Sequence, residues 1–262
     1  MRKALLLSLG ACVGMAGLAS AQTEFPFSDD FETGQVAPNW EADSTNNPSW
    51  DEAGMWSAVT EDVDWRGIIV EPPGDSTYMG RLANAPSSPI TARRLVGTND
   101  ATDYTIEADV YVQTVDADSA PDNFFYQMVI FGAQDGVDYA RFHFHHNENL
   151  DDGPRIRIQT RYGSFDTVFE SPTADVLASD EEGWYHVRLD VNSTDMELNA
   201  IVNGVDINGG PITINQGAYA NGGKAGIGTF INGDTGGLER SVYYDNFFAG
   251  EPVSVGDWAI YQ

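Results

Sequence analysis

Residues Tyr139 to Arg161 read Y-A-R-F-H-F-H-H-N-E-N-L-D-D-G-P-R-I-R-I-Q-T-R. Ala140, Phe142 and Phe144 alternate with Tyr139, Arg141, His143 and His145; after a polar turn, Ile156 and Ile158 alternate with Arg155, Arg157, Gln159 and Arg161. Successive side chains of a strand point to opposite faces, so this is a hairpin with one apolar face and one cationic, polar face. A lone hairpin does not stand in water, and its apolar face must lie against a second layer. The polar face is then where a ligand is expected.

Outward from this hairpin the period of two recurs. Tyr104–Val112 sets Ile106, Ala108 and Val110 against Glu107, Asp109 and Tyr111, and Trp184–Val191 sets Val187, Leu189 and Val191 against His186, Arg188 and Asp190. Phe124–Phe131 is a continuous apolar run, as a central strand requires. Met196–Val202 meets Val205–Ile207 through Asn203-Gly204, a strong hairpin signal. Further strands are expected at Asp29–Glu32, within Arg66–Val70 and Ile90–Val96, and at Ser164–Phe169, Ala225–Ile231 and Ser241–Phe248. No helical period is sustained beyond the first 21 residues. About a dozen short strands with frequent turn signals imply an all-β chain, a sandwich or a barrel, as one domain over residues 22–262.

Residues 1–21 read as a secretory signal peptide: Arg2 and Lys3, an apolar run from Ala4 to Leu18, then Ala19-Ser20-Ala21 before Gln22. Leu9-Gly10-Ala11-Cys12 offers a competing lipoprotein cleavage box, with a very short apolar core. Cleavage after Ala21 implies a secreted or periplasmic protein of bacterial type and removes Cys12, the one cysteine, so packing alone must hold the fold. The chain carries 13 Lys+Arg against 40 Asp+Glu, and the leader takes two of the cations and none of the acids, leaving a net charge of −29. So acidic a surface repels nucleic acid and anionic membranes, and no second apolar span follows. A monomer is the expectation.

Several motifs in order along the chain carry a resemblance. D-D-F-E-T-G at Asp29–Gly34, G-W-Y-H-V-R-L-D-V at Gly183–Val191 followed by V-N-G, G-K-A-G-I-G-T-F at Gly223–Phe230, and V-Y-Y-D-N-F-F at Val242–Phe248 resemble the concanavalin A-like lectin and glucanase jelly rolls. More narrowly, they are similar to the laminin-G-like and keto-disaccharide-hydrolase-like domains of secreted bacterial proteins. The resemblance implies two stacked antiparallel sheets, a β-sandwich, with carbohydrate as the usual ligand class. It fixes no activity, because this fold hosts lectins, hydrolases and spacers alike. It also implies a structural Ca²⁺ shared by an acid near the first strand and an Asp on the last, here Asp30 and Asp245 with Glu32 as a third oxygen donor.

The polar strand face is the leading candidate site. Tyr139, Arg141, His143, Arg155, Arg157, Gln159 and Arg188 would line a groove for an acidic or densely hydroxylated polysaccharide, since guanidinium forks match carboxylate and sulfate. Trp50 and Trp65 would add flat faces for sugar rings, and Glu107 and Asp109 would orient the arginines. The plainer reading of the arginines is cross-strand pairing with Glu107, Asp109 or Asp190. His143 and His145, with Glu148, could ligate zinc, although two histidines at this spacing are an unspecific signal. Glycoside hydrolysis needs two carboxylates. The laminarinase-type E-x-D-x-x-E is absent; Glu107-Ala-Asp109 comes nearest but Val112 stands where its third acid would be. The R-x-E-L-R and Q-I-H strands of alginate lyases and the G-x-S-x-G of serine hydrolases are also absent. The expectation is a non-catalytic polysaccharide-binding protein, with a hydrolase using Glu107 and Asp109, or an adhesive surface domain, as alternatives.

Overall fold

The computed structural model describes residues 25–42, 56–64, 66–84, 90–113, 124–134, 138–147, 155–162, 164–177, 181–214, 222–232 and 240–251. The leader, Trp50, Trp65 and Glu148 lie outside them. The elements are β1 (Phe27–Asp29), β2 (Glu41–Ala42), β3 (Trp56–Val59), β4 (Asp62–Val63), β5 (Ile69–Val70), β6 (Met79–Asn84), β7 (Ile90–Val96), β8 (Asp103–Val112), β9 (Phe124–Ala133), β10 (Tyr139–Asn147), β11 (Arg155–Tyr162), β12 (Ser164–Pro172), α1 (Thr173–Leu177), β13 (Gly183–Asn192), β14 (Glu197–Val202), β15 (Val205–Asp206), β16 (Ile212–Thr213), β17 (Lys224–Asn232) and β18 (Arg240–Gly250).

Two antiparallel sheets take nearly all of the strands. The first runs β15-β14-β13-β8-β18-β6-β3, with β1 on β18 and β16 on β14; the second runs β12-β11-β10-β9-β17-β7-β2; β4 and β5 form a ribbon of their own. The alternation of period two decides what lies between the sheets. Ile106, Ala108, Val110, Val187, Leu189 and Val191 face inward from the first, and Val129, Phe131, Phe142, Phe144, Ile156 and Ile158 from the second, all essentially inaccessible. The hairpin pairs Tyr139 with Arg161, Phe142 with Ile158 and His143 with Arg157. Trp40 and Trp56 close one end of the core, edge-on to each other, with Phe247 against Trp40.

Tyrosines bolt the two sheets together. Tyr244 of β18 crosses the core to accept the Met128 N–H at 3.0 Å and to donate to the Gly228 carbonyl. The Tyr104 hydroxyl of β8 accepts the Gly132 N–H at 2.8 Å. Burial pushes both phenols up, so both hydroxyls stay protonated. On the second sheet Lys224, at the start of β17, is ion-paired with Glu41 of β2 and ties down that short edge strand.

Three details differ from the sequence expectation. Asp29–Glu32 is the exit from β1 rather than a strand: the Asp29 carboxylate accepts the N–H groups of Phe31 at 3.1 Å and Ala37 at 2.8 Å and the Trp40 indole at 2.8 Å, bending the chain through Phe31 at φ +58°. The Asn203-Gly204 turn has the expected left-handed angles, φ +48° and +78°. The strand after it stops at Asp206, because that carboxylate turns to accept N–H groups of Asn208, Gly209 and Gly210. One helical turn, α1, follows β12 where no helix was expected.

Phe142 is inaccessible at the centre of the core whereas Phe165 of β12 is 47% exposed. Phe142→Ala is therefore expected to cost about 3–5 kcal/mol in urea denaturation, and Phe165→Ala about 1 kcal/mol or less. Equal losses would contradict this layering.

Candidate functional site: a buried cationic face and its open rim

The side of the second sheet that faces away from the core is itself shielded. Tyr139, Arg141, His143, His145 and Gln159 are each less than a tenth exposed, as is Arg93 of β7. The outward-looking arginine groove expected from the sequence is thus corrected: these residues form an enclosed floor. Apolar residues of the central strands complete it, with Leu95, Met128, Ile130, Ala133 and Tyr139 in one cluster. Two glycines of β17 make room, since an added Cβ at Gly226 would meet the Arg94 carbonyl oxygen at 2.1 Å and one at Gly228 the Arg93 Cγ at 3.1 Å.

The buried charges are settled by side chains. Arg141 donates to Gln159 Oε1 from Nε at 3.1 Å and from Nη2 at 2.7 Å, and Gln159 Nε2 donates to Thr167 Oγ1 at 2.8 Å. The Arg141 guanidinium lies 4.3 Å from the Phe165 ring centre and that of Arg93 4.4 Å from the Tyr139 ring centre. Burial, reinforced by Arg141, His145 and Arg157, drives the His143 imidazole well below its ordinary range. Burial, then Arg157, Arg141 and Arg155, push His145 down to about 3. Both are neutral at any physiological pH.

The rim is different. Arg155 Nη1 at 3.1 Å and Arg157 Nη2 at 2.8 Å converge on one oxygen, Glu170 Oε1 of β12. These side chains stay partly accessible, at 24%, 20% and 29%. Burial opposes ionisation of Glu170, but the bond and charge of Arg157, with those of Arg155, win and hold its carboxyl below the usual range. Phe165 stands farther along β12, opposite Arg161, whose guanidinium is 5.3 Å from its ring centre. Glu170 and Phe165 were missed in the sequence. A register shift between Ile158 and Gln159 against β12 hides which residues of that strand share the arginine face.

The remaining candidates lie elsewhere. Arg188, Glu107 and Asp109 belong to the outer face of the first sheet, with the whole core between them and Arg141, so they neither line that floor nor orient its arginines. Arg188 Nε donates to Asp190 Oδ1 at 2.9 Å, as does Thr105 Oγ1. Asp109 is engaged on both oxygens, by His186 Nδ1 and by Asn246 Nδ2, each at 2.8 Å. Burial raises Glu107, with His186 and Arg188 opposing. Among the metal candidates, Asp30 is exposed and accepts the Glu32 N–H at 3.1 Å, and Glu32 Oε1 accepts the N–H groups of Thr77 and Tyr78. Asp245 is inaccessible, and its Oδ2 receives no hydrogen bond. Burial pushes Asp245 up to about 7, against the nearby Ser76 hydroxyl and the Asn246 N–H, with Asp109 and Glu32 adding to the rise. Glu32, Asp75, Ser76, Asp109 and Asn246 line a shallow hollow above it. Among the described residues no three His, Cys, Asp or Glu side chains are grouped to hold a metal ion; His143 and His145, with rings 6.0 Å apart, gain no third ligand there.

Similar architecture recurs among solved structures. A glycoside hydrolase family 16 endo-glucanase from Bacteroides ovatus matches 85% of this chain and 99% of its own, with a TM-score of 0.54 at 12% identity. The fold is a concanavalin A-like jelly roll. The cellulose-induced protein Cip1 matches this jelly roll over 86% of the chain and 97% of its own, with a TM-score of 0.50 at 13% identity. LamA from Zobellia galactanivorans, in complex with laminaritriose and laminaritetraose, matches 87% of it and 99% of its own chain, with a TM-score of 0.50 at 11% identity. No protein-family model and no curated protein matches by sequence.

The neutral histidines have a signed consequence. His145 titrates lower folded than unfolded, so its contribution is full above about pH 6.5 and lost as pH falls towards about 3. His145→Gln removes that loss. Relative to wild type, the variant should gain about 2 kcal/mol between about pH 7 and about pH 4.5 in denaturant titrations. A difference that stays constant with pH would show that the imidazole is not held neutral.

Proposed function

We propose that this chain is an exported, non-catalytic polysaccharide-binding jelly roll, and that its ligand is an acidic glycan held on the rim of β11 and β12. The observation that carries this reading is the convergence of Arg155 and Arg157 on Glu170. One protein carboxylate already sits where a uronate or sulfate group of a glycan would lie, with one oxygen taking a charge-assisted hydrogen bond from each of two guanidiniums. Thr167 and Phe165, both exposed, extend the surface towards hydroxyl groups and the apolar face of a sugar ring. The enclosed floor of Arg141, His143, Tyr139 and Gln159 holds that rim in place. Carbohydrate as a class is supported by the fold neighbours, one of which holds laminaritriose and laminaritetraose. Export is supported by the leader, and no helix among the described residues is long and apolar enough to cross a membrane.

Binding without cleavage is supported by the distribution of acids. Among the described residues the arginine face bears Glu170, held by two guanidiniums on one edge strand, and Glu41, ion-paired with Lys224 on the other edge, so no two carboxylates face each other there, whereas glycoside hydrolysis takes a facing pair. The hydrolase reading rests on Glu107, raised by burial beside Asp109 on the opposite face. Affinity electrophoresis should show retention by uronate-rich or sulfated polysaccharides, weakened at least about tenfold in an R155A/R157A variant of unchanged melting temperature. No reducing sugar should be released. Retention unaffected by the double substitution would remove the rim from consideration, and sugar release abolished by Glu107→Gln would make the protein a hydrolase.

A structural calcium ion belongs to the same proposal, with altered ligands. Asp245 and Glu32 suit a hard cation, because Asp245 presents a buried oxygen without a donor and its ionised form is otherwise penalised. Asp30, in its exposed turn, does not. Because the folded Asp245 titrates above its unfolded value, its penalty appears as pH rises from about 4 to about 7. In chelator, Asp245→Asn should therefore melt higher than wild type above about pH 7. Added Ca²⁺ should raise wild type and not the variant; a wild-type melting temperature indifferent to Ca²⁺ would rule the ion out.

A further inference from the structure

The β4–β5 ribbon is built inside out. A hairpin on a protein surface ordinarily turns apolar side chains inward and polar ones to water. Here Asp62 and Asp64 turn in, while Val63, Ile68 and Ile69 stand 60%, 42% and 61% exposed. Val63 and Ile69 are cross-strand partners and form one patch, with exposed Ile68 preceding Ile69 in the chain. Among the described residues only Phe165 and Val205 are other large hydrophobics exposed to a comparable degree, and they stand singly.

The inversion is held in place by a dedicated network. Asp64 is almost inaccessible and accepts N–H groups of Arg66 at 2.9 Å and Ile68 at 3.0 Å, closing the turn. Its other oxygen takes the Arg66 guanidinium, which donates also to Glu182 Oε1 at 2.7 Å, and Glu182 accepts the Tyr111 hydroxyl at 2.9 Å. Asp62 is paired with Arg81 and accepts the Tyr243 hydroxyl at 2.8 Å. Val70 alone turns inward, into a cluster with Met79 and Tyr243. The carboxylates are spent on fixing the ribbon to the first sheet, so the aliphatic patch is presented on a rigid base.

We infer that this patch is a docking site for a polypeptide partner that offers an aliphatic pocket rimmed by lysine or arginine. The rim follows from charge. Glu61 and Glu71 flank the ribbon, are exposed, and lie on a chain with 13 Lys+Arg against 40 Asp+Glu. A second copy would bring the same excess of acids, and most of its cations are committed: Arg66, Arg81, Arg188 and Lys224 are ion-paired, and Arg93, Arg94 and Arg141 are buried. Complementary charge at the edge of an apolar anchor speeds encounter and excludes wrong partners, while the anchor supplies the affinity.

The test uses a fluorescent peptide of alternating lysine and leucine as the probe, with its glutamate–leucine counterpart as control. The lysine peptide should bind the full-length protein. V63S/I69S should weaken it at least about tenfold without moving the melting temperature, and V205S, which alters a solitary exposed valine, should leave it unchanged. Equal binding of the acidic peptide, or V63S/I69S affinity matching wild type, would overturn the proposal. So would a dimer in sedimentation velocity that V63S/I69S dissolves, or flotation with phosphatidylcholine vesicles that V63S/I69S abolishes, since these assign the patch to a second copy or to a lipid surface.

Discussion

A strand covered on both sides must settle the charge of every polar residue it carries without the help of water. β10 is in that position. Its inward side is aliphatic and aromatic and raises no difficulty. Its outward side carries Arg141, His143 and His145, none more than 5% exposed. Three devices answer the demand. The imidazoles give up their charge, the Arg141 guanidinium takes the Gln159 oxygen and an aromatic face, and the glycines of β17 leave space for the long side chains of β7 to lie flat. The accessible chemistry is displaced to β11 and β12, where Arg155 and Arg157 reach solvent. The floor and the rim are one system, because Gln159 links Arg141 to Thr167 on the edge strand.

Much of this architecture was legible in the residues. The alternation through 104–112, 139–147 and 184–191 fixed which side chains enter the core, since the period of two admits only two registers and one of them buries charge. The Asn203-Gly204 turn was legible because its left-handed angles suit few other pairs. What the period cannot express is which sheet a strand joins. Arg141 and Arg188 have the same pattern of neighbours, yet they end on opposite sides of the molecule, because β13 pairs with β8 and β10 with β9. Nor does alternation tell a solvated outer face from a covered one, and so the arginine floor reads in sequence as an open groove. The rim depended on a bulge opposite β12, and a one-residue shift of that kind leaves no mark in composition.

The first sheet and the ribbon fixed to it show a contrasting use of acids. Asp29, Asp62, Asp64 and Asp206 are each turned back on the backbone or a nearby donor, where they bend chains, close turns and anchor a ribbon. In a chain so acidic, carboxylates are the abundant polar material, and they do local work that amides or hydroxyls do in other proteins. Asp245 stands apart from this group, since it lies beneath the surface without a donor for one oxygen.

The clasp between Lys224 and Glu41 has a practical side. Apart from Lys3, close to the amino terminus, Lys224 is the only lysine in the sequence, and its side chain is 12% accessible and committed to an ion pair. Reagents that acylate primary amines would therefore find little on the folded body beyond the chain's own amino terminus. Immobilised through such chemistry, every molecule would hang from the same point, with both sheets turned to the solution in one orientation.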